Sequence, residues 1–480
     1  TGRFAEALHT PDGELKNTGF GAVTGDAAAA IRGEDKELSL QISHYGGEFK
    51  LLEAGGPPSG ANEGEEEGPE RKSSDWRVQL NGKRQLGALN LETKAQWERH
   101  SLIELSDEAL ADSMATAPTT VSGGKEQEAF NLLLNTFSLD LLAHHRIGKR
   151  IKGTAGVSGL LQSNDTRGPI PLVPDAAISS LGAFVFEEAR LGRWSVLGGV
   201  RGDARKMKAD ANDGLQLAAD DERDWSALSS DLGLVFRPLR HLALSVNAGL
   251  AWRAPRLFEL YAEGPQIAEA RYLRGRADLE AEHALDLDAG VRCENERVKA
   301  ELTVYRNRIG DFVALSPTAS LIDGLRLWEY GRTDAMLTGL EAGLSGPVGG
   351  PFRLSGSFDY VRGEVRGSGD PLPLIPPPRG ILAAQAAWRK LAWAERFQLG
   401  VEFQLVAEKQ RLASEEFPTA GYVLVACGAE LKRVLVGREW GFSLRVDNLL
   451  DKRYRDFLSR YKEFADNPGR DVRLKLATSF

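Results

Sequence analysis

Asp471-Val472-Arg473-Leu474-Lys475-Leu476-Ala477-Thr478-Ser479-Phe480 closes the chain, and its polar and apolar residues take turns. Asp471, Arg473, Lys475 and Ser479 fall on one side, and Val472, Leu474, Leu476 and Phe480 on the other, because an extended strand sends successive side chains to opposite faces. One face suits hydrocarbon and the other a polar interior, which is what a strand crossing a bilayer requires. The segment therefore predicts an all-β protein of the outer-membrane barrel type.

Working outward from this end, the same period recurs. Phe442, Leu444 and Val446 alternate with Ser443, Arg445 and Asp447. Leu285, Leu287, Ala289 and Val291 alternate with Asp286, Asp288 and Arg292, and Leu242, Leu244, Val246, Ala248 and Leu250 with Ser245, Asn247 and Arg253. Leu89, Leu91, Thr93 and Trp97 do so with Glu92, Lys94, Gln96 and Glu98. Helical spacing fails on these stretches. Short connections near residues 84–88, 147–150, 189–193, 237–240, 294–297 and 346–351 take turns with long ones near 51–72, 103–127, 163–177, 208–224, 254–281, 315–334 and 364–379. That order puts all short turns at one rim and all long loops at the other, as in barrels with short periplasmic turns and longer extracellular loops. Trp194, Trp393 and Trp440 lie beside short turns, where an interfacial girdle belongs. The count is roughly nineteen strands, within about two. An odd number places Thr1 on the extracellular side and implies that leading strands stand outside this sequence, since bacterial single-chain barrels are even-numbered.

Bulk composition excludes other classes. Mean hydropathy is -0.30 and charged residues make up 27%. No apolar run approaches the roughly 18 residues of a spanning helix. The net charge of -8 gives no basic footprint for nucleic acid. Cys293 and Cys427 form neither a disulfide framework nor a zinc site. Nothing at the N-terminus reads as a signal peptide.

A family is visible in the C-terminal half. Asn448-Leu449-Leu450-Asp451-Lys452-Arg453-Tyr454, then Pro468-Gly469-Arg470, then Phe480, resembles the last two strands of TonB-dependent outer-membrane receptors. Arg253-Ala254-Pro255 with Glu259-Leu260-Tyr261 and Gly264-Pro265 is similar to an upstream segment of the same family. Asp278-Leu279 with Glu282, Asp311-Phe312, and Leu372-Pro373 with Ile375-Pro376-Pro377 also fit in order and spacing. In the N-terminal half Asn17-Thr18-Gly19-Phe20 and Ser43-His44-Tyr45 look like the early barrel of receptors for metals or metal chelates. The resemblance implies an antiparallel transmembrane β-barrel of the 22-strand type, of which residues 1–480 are a partial barrel domain. It also implies an N-terminal plug domain and TonB box that are not recognisable here. The expected function is energy-coupled uptake of a scarce nutrient such as a ferric siderophore, with zinc, another metal or cobalamin as alternatives. A passive porin or a surface adhesin is the rival from another class. Implied partners are outer-membrane lipid, the TonB–ExbB–ExbD complex acting through the plug, and the metal-chelate ligand, with the receptor a monomer.

No nucleophile elbow or zincin motif appears, so neither an enzyme nor a cofactor is expected. There are seven histidines. His144 and His145 are adjacent on a strand, point to opposite faces and do not chelate one ion together. His44 and His100 are expected near the extracellular ends of two strands, beside Glu48 and Glu104, and His283 is flanked by Glu280 and Glu282. His44, His100 and His283 are therefore the candidate metal ligands, with ordinary rim or loop histidines as the alternative reading. Seven histidines are few for a zinc receptor. The run Glu63, Glu65, Glu66 and Glu67 reads as a solvated loop among glycines and prolines. Asp210, Asn212, Asp213 and Gly214 lack the spacing of a calcium loop.

Overall fold

The computed structural model describes residues 2–52, 69–106, 127–169, 171–266 and 269–478. Within them 22 strands join one sheet. Nineteen of these form a continuous antiparallel meander from Phe20–Arg32 to Asp471–Thr478, each paired with the next in the series. The other three are additions to it. Gly2–Ala5 lies antiparallel along the start of Phe20–Arg32, with Gly2 opposite Val23 and Ala5 opposite Phe20. Glu263–Gln266 and Arg271–Arg274 form a small hairpin, whose second strand runs parallel to Leu325–Gly349. Counting Gly2–Ala5, the wall has twenty strands among the described residues, in agreement with the roughly nineteen, within about two, expected from the sequence.

Register fixes which way each residue faces. Leu444 sits opposite Leu474, Phe442 opposite Leu476 and Val446 opposite Val472, while Arg445 faces Arg473 and Ser443 faces Lys475. Residues directly opposite one another share a face of the sheet. The apolar row is exposed: Leu474 is 81% accessible, and Leu228, on a distant wall strand, 75%. Exposed leucines, valines and aromatics recur along the wall strands and make a belt. A monomer in water rarely exposes more than a few hundred Å² of contiguous apolar surface, so the belt belongs against hydrocarbon. Near the short turns, Trp194 stacks on Phe236 at 4.3 Å between ring centroids, and Trp393 lies 5.0 Å from Phe397.

The opposite face is polar and internally paired. Gln41, Gln79 and Gln96 stand in one row, and Gln79 Nε2 donates to Gln96 Oε1 at 2.6 Å. Arg445 reaches Glu402 at 2.9 Å and Asp447 at 2.8 Å. The turns at the short-connection rim are tight. Two residues, Gly192-Arg193, join Leu191 to its partner Trp194, and Gly192 has φ 66, a conformation that costs glycine least.

One long connection differs from expectation. Residues 315–334 are not an irregular loop but the top of a hairpin made by Lys299–Ile322 and Leu325–Gly349, turning at Asp323-Gly324. Leu325 and Leu327 are buried, and the parallel pairing with Arg271–Arg274 gives this arm a second neighbour. Tertiary support, rather than local alternation, extends the strands.

The buried core lies at the long-loop end. Phe130, Leu172, Val173, Met207, Leu260, Leu273 and Leu279 pack together, with Trp225, Trp328 and Tyr330 against them. The loops have a hydrophobic centre of their own, above the polar interior of the wall.

Candidate functional site

The mouth of the barrel is where the sequence motifs and the loop core meet. Arg253 ends the strand Leu242–Arg253 and binds two carboxylates at once. Its Nη1 donates to Glu259 Oε2 at 2.7 Å, and its Nη2 donates to Glu282 Oε1 at 2.7 Å. Glu259 also accepts from the backbone N–H of Arg256 at 2.8 Å, which starts the short helix Leu257–Tyr261. Glu282 Oε1 accepts from Val313 N at 2.7 Å. One guanidinium thus ties a loop helix, the next wall strand and the hairpin arm. Charge-assisted bidentate pairing of this kind is among the stronger polar contacts.

Tyr261 donates its hydroxyl to Asp221 Oδ2 at 2.6 Å and accepts from Arg223 Nε at 3.2 Å. Burial, reinforced by the Asp221 carboxylate, pushes its hydroxyl up to about 12. Pro255 is fully buried, Leu279 is 1% exposed, and Leu372 is buried with Ile309 and Ala335 beside Phe312 and Ile375. Asp311 takes φ 54 at a bulge, and Phe312 follows it into that cluster.

The second motif set knots the 448–470 loop. Asn448 accepts from Lys452 N at 2.8 Å and donates to Lys452 O at 2.9 Å. Asp451 Oδ1 accepts from Arg470 N at 2.8 Å, and Arg470 Nε donates to Leu449 O at 2.9 Å. Gly469 N donates to His9 O at 2.6 Å, and a Cβ on Gly469 would lie 2.5 Å from Asp451 Oδ1. Tyr454 packs against Tyr422 at 4.6 Å, and burial raises its hydroxyl above the usual tyrosine value. Lys462 and Lys409 approach the ring of buried Phe457 at 3.8 and 4.9 Å. Burial lowers both ammonium groups from the ordinary lysine range. The motif residues therefore hold loops in shape. Phe480 and Ser479, like the glutamates of 63–67, lie outside the described residues.

The three candidate histidines do not converge. His44 belongs to the outward row of Leu40 and Ile42, and its ring lies 4.2 Å from that of Trp76. His100 is on the inner face, where its Nδ1 is 2.5 Å from Asp75 Oδ1. His283 pairs with Trp252 on the outward side, away from Glu282. His144 and His145 do part company as expected: His144 meets Glu92 and Thr154, and His145 meets Glu187 at 3.1 Å. Among the described residues no group of three or more His, Cys, Asp or Glu has metal-binding geometry.

Sequence reading missed a set of arginines under the loops. Arg271, Arg326 and Arg460 gather near Trp328, Phe417 and Tyr330. The one local sign is Arg271-Tyr272-Leu273-Arg274-Gly275-Arg276, arginine-rich for a stretch with so many buried neighbours.

Comparisons with known proteins agree with this architecture. The family model for the TonB dependent receptor-like β-barrel matches residues 19–449. Among solved structures, the chain is similar to the copper transporter OprC, at 18% identity and a TM-score of 0.81, covering 99% of this chain and 74% of that one. It is also similar to the FrpB iron transporter from Neisseria meningitidis, at 15% identity and a TM-score of 0.73 over 99% of this chain and 75% of the other. The ferric yersiniabactin uptake receptor FyuA from Yersinia pestis gives 12% identity and a TM-score of 0.70, over 100% and 74%.

Proposed function

Because the chain belongs to the TonB-dependent receptor β-barrel family, a family of outer-membrane receptors and not of enzymes, we propose that it takes up a metal chelate such as a ferric siderophore. The match over residues 19–449 supports receptor-type uptake, and the likeness to solved copper, iron and ferric yersiniabactin transport proteins supports a metal or metal-chelate cargo. Ligand binds at the mouth, among the long extracellular loops. The polar inner wall forms the sides of the path, and the TonB–ExbB–ExbD complex supplies energy through a plug domain. The receptor works as a monomer, and residues 1–480 act as its barrel domain. A chelate suits the chemistry better than a bare soft metal ion. The chain has three methionines and two cysteines, few soft donors for such an ion.

Growth of a gene-deleted strain under iron, copper, zinc or cobalamin starvation identifies the cargo. The expected result is a defect in iron-limited medium supplied with a ferric siderophore, restored by the gene only when TonB is present. Restoration without TonB would support a passive channel instead.

A further inference from the structure

The tight turn between Gln127–Ile147 and Ile151–Thr166 is basic in an acidic chain. Net charge is -8, yet residues 146–152 carry Arg146, Lys149, Arg150 and Lys152 and no acid. Arg146, Lys149 and Arg150 are exposed, and among the described residues none has a carboxylate within 4.0 Å. Nearby acids are already engaged. Glu188 pairs with Lys152 and with Arg190 at 2.7 Å each, and Glu92 with His144 at 3.1 Å. The next two turns along the rim add Arg193 and Arg240, exposed and, among the described residues, equally unneutralised. Positive charge therefore gathers on this stretch of the short-connection rim.

The turn also borders a recess. Between it and the neighbouring turn at Gly87-Ala88 lies a space of about 600 Å³, lined by Gln85, Asn90, His144, Arg146, Lys152 and Thr154 among others. Amide, hydroxyl and cationic donors of this kind suit phosphate oxygens. Toward the bilayer the same turn is apolar. Ile147 and Ile151 are partners in the ladder, 63% and 37% exposed, in the outward row that continues through Leu141 and Val157. Trp194, opposite Leu191 in the next hairpin, stands at the level of an interfacial girdle. Exposed apolar side chains next to unneutralised cations fit the boundary where acyl chains meet anionic headgroups. An acidic protein would meet the cations but leave Ile147 and Ile151 against water.

We propose that this stretch of rim docks an anionic glycerophospholipid of the periplasmic leaflet, with its phosphodiester in the recess beside Arg146 and Lys152. Its acyl chains run along Ile147, Ile151 and the apolar belt above them. Lys149 and Arg150 supply the field that draws such lipids to the turn. The inference uses the belt and the assignment of the short turns to the periplasmic side, and does not depend on the cargo.

The test titrates the purified receptor, in an uncharged detergent, with phosphatidylglycerol or with phosphatidylcholine and reads the bound lipid by native mass spectrometry. Wild type should bind the first phosphatidylglycerol about fivefold or more tightly than phosphatidylcholine. Combining Arg146→Gln, Lys149→Gln and Arg150→Gln should bring the two affinities together. Lys149→Gln with Arg150→Gln, confined to the turn, should lower the ratio partway and covers the case in which the triple variant does not assemble. Lys206→Gln with Lys208→Gln, at the long-loop end of Trp194–Ala209 where Glu222 and Asp220 neutralise them, should leave the ratio unchanged. Equal affinities in wild type, an unchanged ratio in both rim variants, or the same loss in the Lys206 and Lys208 variant overturns the lipid site. TonB-dependent growth on a metal chelate is read separately, so either reading can fail alone.

Discussion

Arg473 and Leu474 are neighbours in the chain and inhabit different solvents. Arg473 pairs with Asp471 at 2.6 Å and Asp447 at 2.8 Å on the inner face, while Leu474 stands on the outer one. Placing an arginine at mid-bilayer on the outer face costs about 2–4 kcal/mol, whereas an exposed ion pair is worth about 1 kcal/mol or less. Val472→Arg and Leu474→Arg should therefore impair assembly into membranes, and Arg473→Ala should not. A membrane-integration assay decides it, and equal effects would overturn the facing. This alternation was readable from sequence because it depends only on the two-residue period. Arg271 was not readable, since its burial depends on Trp328, brought against it by the parallel pairing with Leu325–Gly349, and not on its chain neighbours. The candidate histidines do not come together for a related reason: a rim residue's facing is set by the register of its strand, and His44 and His283 face outward while His100 faces inward.

At the level of elements, the helix Leu257–Tyr261 and the strands it joins are held by Arg253 and by Tyr261. The Tyr261 hydroxyl ordinarily titrates at 10.0 and in the fold at about 12, so the folded state keeps its proton longer than the unfolded chain. Its stabilising contribution is complete below pH 10.0 and is lost as pH rises toward 12. Proteolysis of the 254–281 loop should accelerate across that interval, and Tyr261→Phe should flatten the dependence while raising the rate at neutral pH. An unchanged profile in Tyr261→Phe would assign the alkaline loss elsewhere. The motifs mark these loops in the sequence, whereas the hydrogen bonds that shape them emerge only in the fold. The 315–334 stretch was misjudged as a loop because its support comes from Arg271–Arg274, a partner no local pattern reveals.

For the whole molecule, segregation of connection lengths is the strongest topological statement. An epitope inserted between Gly367 and Gly369, in a long connection, should be reached by antibody on intact cells. The same epitope at Gly192-Arg193 should be reached only after the outer membrane is opened. Labelling of both sites on intact cells would reverse or abolish the assigned orientation.

The double grip of Arg253 has a further consequence. Since it fastens Glu259 and Glu282 together at the base of one excursion, the span between them behaves as a cassette whose two ends are stapled at a single point. Changes within that span that spare Leu260, Tyr261, Leu273, Leu279 and the ladder of Arg271–Arg274 leave both stapled ends in place. A receptor built this way can acquire a new appetite by grafting, with its mechanical frame left alone.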